Sequence, residues 1–252
     1  MPSVEAAAQT LERALDPLTS VIKRATQKRA ADPAATPTKP VKGALPVSPL
    51  AVDFPVIPQI AGAELATTRA GFYKHERDDV LLMRFAEGTN AAGVFTRHGV
   101  GSAPVDWCRR QLIATGGAEV RGLVVNAGCA NSFTGKPGAD AARRVASAVA
   151  KRFDCRQRDV MMASTGVIGV LLDDSKIVSR LADAEARLGE TDWLSAARAI
   201  STTDTFPKGA FAEAVIDGVT VQIAGIAKGS GMIAPDMATM LDRKSTRLNS
   251  SH

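Results

Sequence analysis

Runs of apolar residues of strand length alternate along the chain with segments whose apolar residues recur at helical spacing. Short apolar runs predict strands within residues 79–85 (DVLLMRF), 91–96 (AAGVFT), 121–128 (RGLVVNAG) and 159–165 (DVMMAST). Helical spacing predicts helices over residues 102–114, 138–153 and 173–188. Two β-rich runs flank Asp217-Gly218 within residues 215–227, and they predict a hairpin because this dipeptide favours two-residue turns.

This mixture of strands and helices predicts an α/β (α+β) fold, with mixed sheets and helices on the outside. The predicted hairpins argue against a purely parallel sheet. Residues 1–50 are predicted to be a disordered or weakly helical extension and linker, because residues 30–49 are rich in Pro and Ala and poor in large apolar side chains. The folded domain is predicted to occupy residues 51–241, followed by a polar tail at 242–252 that does not resemble the rest.

The net charge of +5 comes from the two ends of the chain, since residues 46–241 carry equal numbers of basic and acidic side chains. A domain that binds nucleic acid carries its basic excess on the folded surface, so no nucleic-acid partner is expected. No apolar run approaches the ~20 residues that cross a bilayer, so no membrane association is expected. The three cysteines lack CxxC spacing, which favours a reducing compartment. We predict a cytoplasmic protein ahead of one in the mitochondrial matrix, because Glu5, Glu12 and Asp16 are atypical of a transit peptide.

Histidine and cysteine are too sparse for several common kinds of catalytic site. The three histidines are His75, His98 and His252, and no nucleophile motif accompanies them. Neither HxxxH nor paired-cysteine spacing occurs, so no metal site is predicted. The stretch from Lys228 to Gly231 is glycine-rich but lacks the GxxxxGK[ST] order of a phosphate-binding loop.

Four loops rich in glycine and small polar residues remain, and most of them follow a predicted strand. They are residues 124–135 (VVNAGCANSFTG), 164–169 (STGVIG), 201–208 (STTDTFPK) and 225–241 (GIAKGSGMIAPDMATML). Any one of them alone is a common structural turn. Four in one domain favour a site at the strand ends, because functional groups concentrate on loops that a rigid scaffold holds.

The last of these loops contains a hydroxyl that can be activated without histidine. An N-terminal threonine uses its own α-amine as the base, and an α-amine titrates near pH ~7.7–8.0. Thr239 would gain that amine if its hydroxyl attacked the carbonyl of Ala238 and water released the resulting ester. The Thr165 hydroxyl and the Gly166 N–H are predicted donors to the developing oxyanion. Lys228 is a candidate cation for a substrate carboxylate, with a solvated loop lysine as the alternative.

At these residues the sequence closely resembles the glutamate N-acetyltransferase/ornithine acetyltransferase family of arginine biosynthesis. The resemblance runs from about Val56 to Leu241 and is carried by GVFTR with SAPVDWCR, NAGCANSFTG, STGVIG, AISTTDTFPK and AKGSGMIAPDMATML. It implies the layered sandwich of that family. It also implies a precursor that cleaves itself between Ala238 and Thr239, whose α and β chains stay associated as an α2β2 heterotetramer.

The same resemblance implies an activity and a set of site residues. Thr239 takes an acetyl group from N-acetyl-L-ornithine and passes it to L-glutamate by a ping-pong route. Some members also accept acetyl-CoA as donor, and no cofactor is implied. Carried over by motif position, Thr165 and Gly166 form the oxyanion hole, and Thr202, Lys228 and Thr239 contact substrate.

The family pattern continues past Leu241 in an apolar segment and a whole β chain, whereas residues 242–252 (DRKSTRLNSSH) show no apolar periodicity. We therefore expect this chain to be incomplete and inactive alone. Two other classes of protein stay open. One is a self-cleaving N-terminal-nucleophile amidohydrolase or aminopeptidase, in which water replaces glutamate as acceptor. The other is a non-catalytic protein that binds a small metabolite through the same loops.

Overall fold

The structure is a computed structural model that describes residues 47–49, 51–97, 99–216, 219–229 and 241–248. For Ile216 and residues 241–248 it describes the backbone alone. Apart from Val215 and Ile216, the described residues belong to one compact unit, Val47–Ala214 with Val219–His252. Several predicted features lie outside the described residues: most of the 1–50 extension, His98, the Asp217-Gly218 turn, and Ala238 with Thr239.

Four strands form a mixed sheet in the order β1-β2-β3-β4. They are β1 (Ala63–Thr68), β2 (Val80–Phe85), β3 (Gly122–Cys129) and β4 (Val160–Val167). β2 runs antiparallel to both β1 and β3, whereas β3 and β4 are parallel. The sheet is therefore not purely parallel, as the sequence predicts.

A second sheet has the order β5-β6-β7, with β5 at Lys208–Ile216, β6 at Val219–Lys228 and β7 at Leu241–Leu248. β5 and β6 are hydrogen-bonded neighbours separated by two residues, as the predicted hairpin requires. β7 runs antiparallel to β6, with Leu241 opposite Lys228. It covers most of residues 242–252, where the sequence predicts no element. Strand pairing uses backbone N–H and C=O groups, so it does not need the apolar periodicity that this segment lacks.

Five helices accompany the sheets within the described residues: α1 (Ala103–Thr115), α2 (Gly135–Arg152), α3 (Asp174–Val178), α4 (Leu181–Ala186) and α5 (Trp193–Ile200). A 3-10 turn lies at Gln157–Asp159. None of the helices in the described ranges has the length and apolar character to cross a bilayer. α1 and α2 pack against each other and against β4, while α5 contacts β1, β2 and β3 as well as β6. α5 therefore joins the cores of the two sheets.

The central strands are covered on both faces, which explains why their sequences are continuously apolar. Val80, Leu81 and Leu82 of β2 are successive residues and each is at most 1% exposed. Alternation of apolar and polar residues would indicate a sheet with one face in water. α2 instead shows helical periodicity, and its buried Val145 and Val149 lie one turn apart.

The predicted strand at residues 91–96 is wrong. The segment has no regular secondary structure and runs along α1 instead of joining a sheet. The Ala91 N–H donates to the Gly117 carbonyl at 2.7 Å, and the Arg109 side chain donates to the Thr96 carbonyl at 3.1 Å. These bonds satisfy the backbone polar groups that a neighbouring strand would otherwise satisfy.

The single helix predicted over residues 173–188 is two short helices, α3 and α4. The chain turns at Ser179 and Arg180 between them. The Arg180 N–H donates to the Ile177 carbonyl, three residues back instead of four, which interrupts the α-helical ladder. Ile177 and Leu181 are both 1% exposed, so the break still places both side chains in the core.

A buried carboxylate, Asp79, fixes the segment that connects β1 to β2. Its side chain accepts the N–H groups of Ala70 at 2.7 Å, Gly71 at 3.1 Å and Phe72 at 2.7 Å. Its own carbonyl accepts the Ala127 N–H of β3 at 2.8 Å. Asp79 is 0% exposed. One residue thereby ties the connecting segment to β3.

Replacing Asp79 by alanine should lower the free energy of unfolding by about 3 kcal/mol or more, because three N–H groups lose a charged acceptor. Urea unfolding of the chain, followed by circular dichroism, measures this loss. Glu87→Gln is the control, since the Glu87 side chain is 85% exposed and its pair with Arg121 contributes about 1 kcal/mol at most. Equal losses in the two variants would contradict the anchoring role of Asp79.

Candidate active site

The parallel pair β3 and β4 brings two of the predicted loops side by side, because parallel strands end at the same edge of a sheet. Asn126 lies opposite Ser164, and Ser164 Oγ donates to Asn126 Oδ1 at 2.6 Å. Asn126 Nδ2 in turn donates to the Cys129 carbonyl at 2.9 Å. The Ala130 N–H donates to the Val167 carbonyl at 2.9 Å. The NAGCANSFTG and STGVIG segments therefore form one hydrogen-bonded unit.

Gly128 and Gly166 lie opposite each other at the end of this strand pair, and neither position has room for a side chain. The angle φ is 104° at Gly128 and 129° at Gly166, which favours glycine. A Cβ on Gly166 would lie 2.4 Å from the carbonyl carbon of Gly128. A Cβ on Gly128 would lie 2.7 Å from the Cβ of Phe72. Close backbone approach thus fixes the position of Gly166 and of Thr165 before it.

The rest of the first loop is held by Asn131, which the sequence analysis did not single out. This residue is 0% exposed and has a left-handed φ of 50°, a conformation that asparagine tolerates better than most residues. Its Nδ2 donates to the Gly138 carbonyl at 3.0 Å, and its Oδ1 accepts from Thr134 Oγ1 at 2.8 Å. Asn131 therefore ties the loop to the first turns of α2. The NAGCANSFTG motif contains it, but no pattern distinguishes a buried loop anchor from a surface asparagine.

Lys228, the last residue of β6, brings two further predicted site residues together. Its Nζ donates to Thr202 Oγ1 at 2.6 Å and to Thr165 Oγ1 at 3.1 Å. These partners lie 26 and 63 residues away along the chain. Lys228 is 4% exposed, which rules out the alternative of a solvated loop lysine.

The ammonium of Lys228 sets the direction of both threonine hydroxyls. An ammonium donates and never accepts, so both hydroxyl oxygens accept from it. Each hydroxyl keeps its own proton for a different acceptor. Thr165 can therefore donate in the neighbourhood of Gly166, which is what the predicted oxyanion role requires.

Asp204 is a buried carboxylate whose negative charge compensates part of the positive charge of Lys228. Burial lowers the pKa of Lys228, whereas Asp204 raises it and Lys208 lowers it further. Burial alone would raise the pKa of Asp204, whose side chain is 1% exposed. Hydrogen bonds from Lys208, Gly229 and Thr202 outweigh that effect and lower the pKa of Asp204 below its ordinary value. The carboxylate is therefore ionised at neutral pH.

A cleft of about 420 Å³ opens beside the same loop and is lined by Asp204, Phe206 and Pro207, together with Arg77 and the end of α5. Lys228, Thr165 and Thr202 do not line it. We place the candidate site at the Lys228 cluster instead, because the predicted oxyanion and substrate-contacting side chains meet there. Across the residues for which the structure gives side chains, no group of three His, Cys, Asp or Glu is placed to hold a metal ion.

The structure thus brings Thr165, Thr202 and Lys228 into hydrogen-bond contact, with Gly166 next to Thr165. Ala238 and Thr239 lie outside the described residues. The roles that the sequence predicts for all of these residues stay predictions.

Comparison with known proteins finds relatives of this chain that share one name. A protein-family model described as the ArgJ family matches residues 64–249. The Arginine biosynthesis bifunctional protein ArgJ of Caulobacter vibrioides is 81% identical over 188 residues, which are 75% of this chain and 47% of that protein. The protein of the same name from Gluconobacter oxydans is 51% identical over 197 residues, or 78% of this chain and 46% of that one. The chain spans about half the length of the curated relatives it matches.

Two solved structures share the fold. The Arginine biosynthesis bifunctional protein argJ from Bacillus halodurans matches with a TM-score of 0.64 and 30% identity, over 72% of this chain and 92% of that chain. Ornithine acetyltransferase from Mycobacterium tuberculosis, solved in complex with ornithine, matches with a TM-score of 0.57 and 30% identity, over 72% of this chain and 93% of that chain. The predicted mixed α/β fold of the ornithine acetyltransferase type is confirmed.

Gly166→Ala should destabilise the fold more than Gly169→Ala, although both glycines have positive φ. An added Cβ at Gly169 meets no atom within 4 Å, so we expect a loss of about 1–2 kcal/mol from the left-handed backbone alone. At Gly166 the overlap with the Gly128 backbone should add at least about 2 kcal/mol. Urea unfolding of the two variants beside the parent chain measures the difference. Equal losses would contradict the close approach of Gly166 to Gly128.

Proposed function

The chain belongs to the ArgJ family, and from this premise we propose that the complete protein is an acetyltransferase of arginine biosynthesis. It moves an acetyl group from N-acetyl-L-ornithine to L-glutamate, with Thr239 as the nucleophile. Acetyl-CoA is a second donor that the same site would serve. The observation that carries the proposal is the buried cluster in which Lys228 meets the hydroxyls of Thr165 and Thr202.

The cluster suits a substrate that carries a carboxylate. Burying a cation is costly unless an anion compensates it. In the described part of the chain, the recorded partners of the Lys228 ammonium are two neutral hydroxyls. The α-carboxylate of an amino acid or of its N-acetyl derivative would supply an anion in direct contact with the ammonium, and the contact would be a charge-assisted hydrogen bond. Thr202 lies beside Lys228 and would contact the same substrate.

The reaction begins with cleavage of the bond between Ala238 and Thr239. The Thr239 hydroxyl attacks the Ala238 carbonyl carbon, the C–N bond breaks, and the acyl group passes to the threonine oxygen. Water then hydrolyses this ester, which leaves a carboxylate on Ala238 and a free α-amine on Thr239. That amine is the base for the nucleophile, since it takes the hydroxyl proton.

Transfer then proceeds in two halves. The Thr239 oxygen attacks the acetyl carbonyl of N-acetylornithine, the C–N bond breaks, and the proton held by the α-amine goes to the departing ornithine amine. The acetyl group is now an ester on Thr239. The amine of glutamate attacks that ester, the bond from the acetyl carbon to the Thr239 oxygen breaks, and the proton lost by the glutamate amine passes through the α-amine to the Thr239 oxygen as N-acetylglutamate leaves.

Each attack places negative charge on a carbonyl oxygen, and Thr165 and Gly166 would donate hydrogen bonds to that oxygen. The Thr165 oxygen already accepts from Lys228, so its proton remains for the oxyanion. The Gly166 N–H would be the second donor, held in position by the Gly128 backbone. Removing one donor of such a pair typically lowers kcat by about 10²–10³.

Division of the polypeptide into two chains has support from the comparisons. Matched segments of similar length cover 47% of the curated Caulobacter vibrioides relative but 92% and 93% of the chains in the two solved structures. Such a difference is expected if family members are cut into two chains of similar length. We propose that the two chains of this protein stay together as an α2β2 assembly.

A chimera provides the complete protein for testing this proposal. In it, residues 51–241 take the place of the corresponding residues of the Caulobacter vibrioides relative. The Thr239→Ala variant of this chimera should run as one uncut chain on a denaturing gel and should show no acetyl transfer, because it lacks the hydroxyl. Thr239→Ser is the control and should be cut, since it keeps a hydroxyl. A Thr239→Ala protein that is still cut would contradict the proposed nucleophile.

The products should distinguish acetyl transfer from hydrolysis. With N-acetylornithine and glutamate present together, the chimera should form N-acetylglutamate faster than free acetate, as measured by mass spectrometry. Glutamate attacks the acetyl ester in a transferase, whereas water attacks it in an amidohydrolase. Acetate that forms faster than N-acetylglutamate would favour the self-cleaving hydrolase. Cleavage without either product would favour a non-catalytic binding protein.

A further inference from the structure

We propose that Asp204 is a positioning residue that fixes the location and the charge of the Lys228 ammonium without itself touching substrate. This role rests on the proposed function, because Lys228 is the group that would meet the substrate carboxylate.

Asp204 joins the two segments whose side chains meet at the site. Its Oδ2 accepts the Thr202 N–H at 3.2 Å, and its Oδ1 accepts the Gly229 N–H at 2.6 Å. Thr202 and Lys228, the residue before Gly229, are themselves linked by the 2.6 Å bond from Nζ to Oγ1. One carboxylate therefore holds the backbone at both ends of that bond.

A second cation, Lys208, forms an ion pair with Asp204. Lys208 Nζ lies 2.7 Å from Asp204 Oδ1, and the Lys208 side chain is 29% exposed while that of Asp204 is 1% exposed. The same Nζ lies 4.3 Å from the centroid of the Phe206 ring. Lys208 and the backbone N–H groups of Gly229 and Thr202 together lower the pKa of Asp204. We expect the two N–H donors alone to keep Asp204 ionised at alkaline pH, where it favours the ammonium form of Lys228.

The charged groups described around Lys228 shift its pKa in opposite directions. Asp204 raises the pKa of Lys228, and Lys208 lowers it. Arg77 lines the same cleft as Asp204, and Tyr73 interacts with both: burial raises the pKa of Tyr73, Arg77 lowers it, and Asp79 and Asp204 raise it. Removing the charge of Asp204 and removing the charge of Lys208 should therefore shift the proton equilibrium of Lys228 in opposite directions.

Three variants of the chimera test this role. Asp204→Asn removes the negative charge and keeps the shape of the side chain. Lys208→Met removes the neighbouring positive charge from a partly exposed position. Asp140→Asn is the matched control, because Lys136 and Asp140 form an exposed pair on α2 with the same i,i+4 spacing as Asp204 and Lys208.

The measurement is kcat and KM for L-glutamate as a function of pH, from mildly acid to alkaline. Asp204→Asn should raise KM about tenfold or more, as expected when a charge-assisted contact is weakened. It should also move the alkaline limb of kcat/KM to lower pH, because Lys228 loses its proton more readily. Lys208→Met should move that limb to higher pH, and Asp140→Asn should leave it in place. L-glutamate has the same pKa values in every assay. A shift of the alkaline limb of kcat/KM between variants therefore reports a group of the protein.

A purely structural role predicts a different result. If Asp204→Asn and Lys208→Met lower kcat/KM equally at every pH and leave the alkaline limb in place, the proposal is overturned. Circular dichroism shows whether Asp204→Asn folds. If it does not, Lys208→Met decides: a limb at higher pH supports the proposal, and an unmoved limb overturns it.

Unfolding measurements separate this proposal from the proposed function. A parent chimera that transfers no acetyl group would contradict the proposed function, while the stability of the same protein still reports the proton on Lys228. The folded state holds Lys228 at a lowered pKa, so it binds fewer protons than the unfolded state between that value and the ordinary one. Stability should therefore rise with pH through this window. In Asp204→Asn the rise should begin at lower pH than in the parent, and a rise at the same pH would overturn the positioning role.

Discussion

The buried ammonium of Lys228 is the constraint on which the described site depends. Removing a charge from water costs several kcal/mol, and this residue is 4% exposed. The hydroxyls of Thr165 and Thr202 replace part of its water shell, and Asp204 supplies a compensating charge. These three residues lie on β4 and on the loop that follows α5, whereas Lys228 ends β6. Burial of one side chain therefore requires segments that are far apart in sequence to meet.

The position of Thr165 depends in turn on backbones that approach more closely than side chains would allow. Gly166 lies against the Gly128 backbone, and Gly128 lies against Phe72. The carboxylate of Asp79 holds the backbone N–H of Phe72. A single buried carboxylate thus supports the connecting segment, β3 and β4 as one stack that ends at Thr165 and Gly166, the proposed oxyanion donors. The stack meets Lys228 at the Thr165 hydroxyl, so two different sets of interactions hold Thr165 in place.

The sequence predicts the central strands and α2 because apolar runs and helical spacing report burial directly. Residues 91–96 show the limit of that inference, since an apolar run packs on a helix as readily as on a strand. Motif resemblance singled out Thr165, Thr202 and Lys228, which the structure then brings together. It did not single out Asp204, although STTDTFPK contains it. Asp204 accepts a hydrogen bond from the Gly229 N–H, 25 residues away along the chain. No local sequence pattern predicts such a long-range contact.

The placement of Asp204 explains how the Lys228 ammonium can be buried as a charged group and still have a donor for a ligand. An ammonium has three N–H donors, and Thr165 and Thr202 accept from two of them. A carboxylate paired directly with Lys228 would offset more of the burial cost, but it would also take the third donor from a substrate. Asp204 instead binds the N–H of Gly229 and acts on the ammonium through space. The charge is therefore stabilised while only two of the three donors have recorded acceptors among the described residues, and the third is the one that we propose for an anionic ligand.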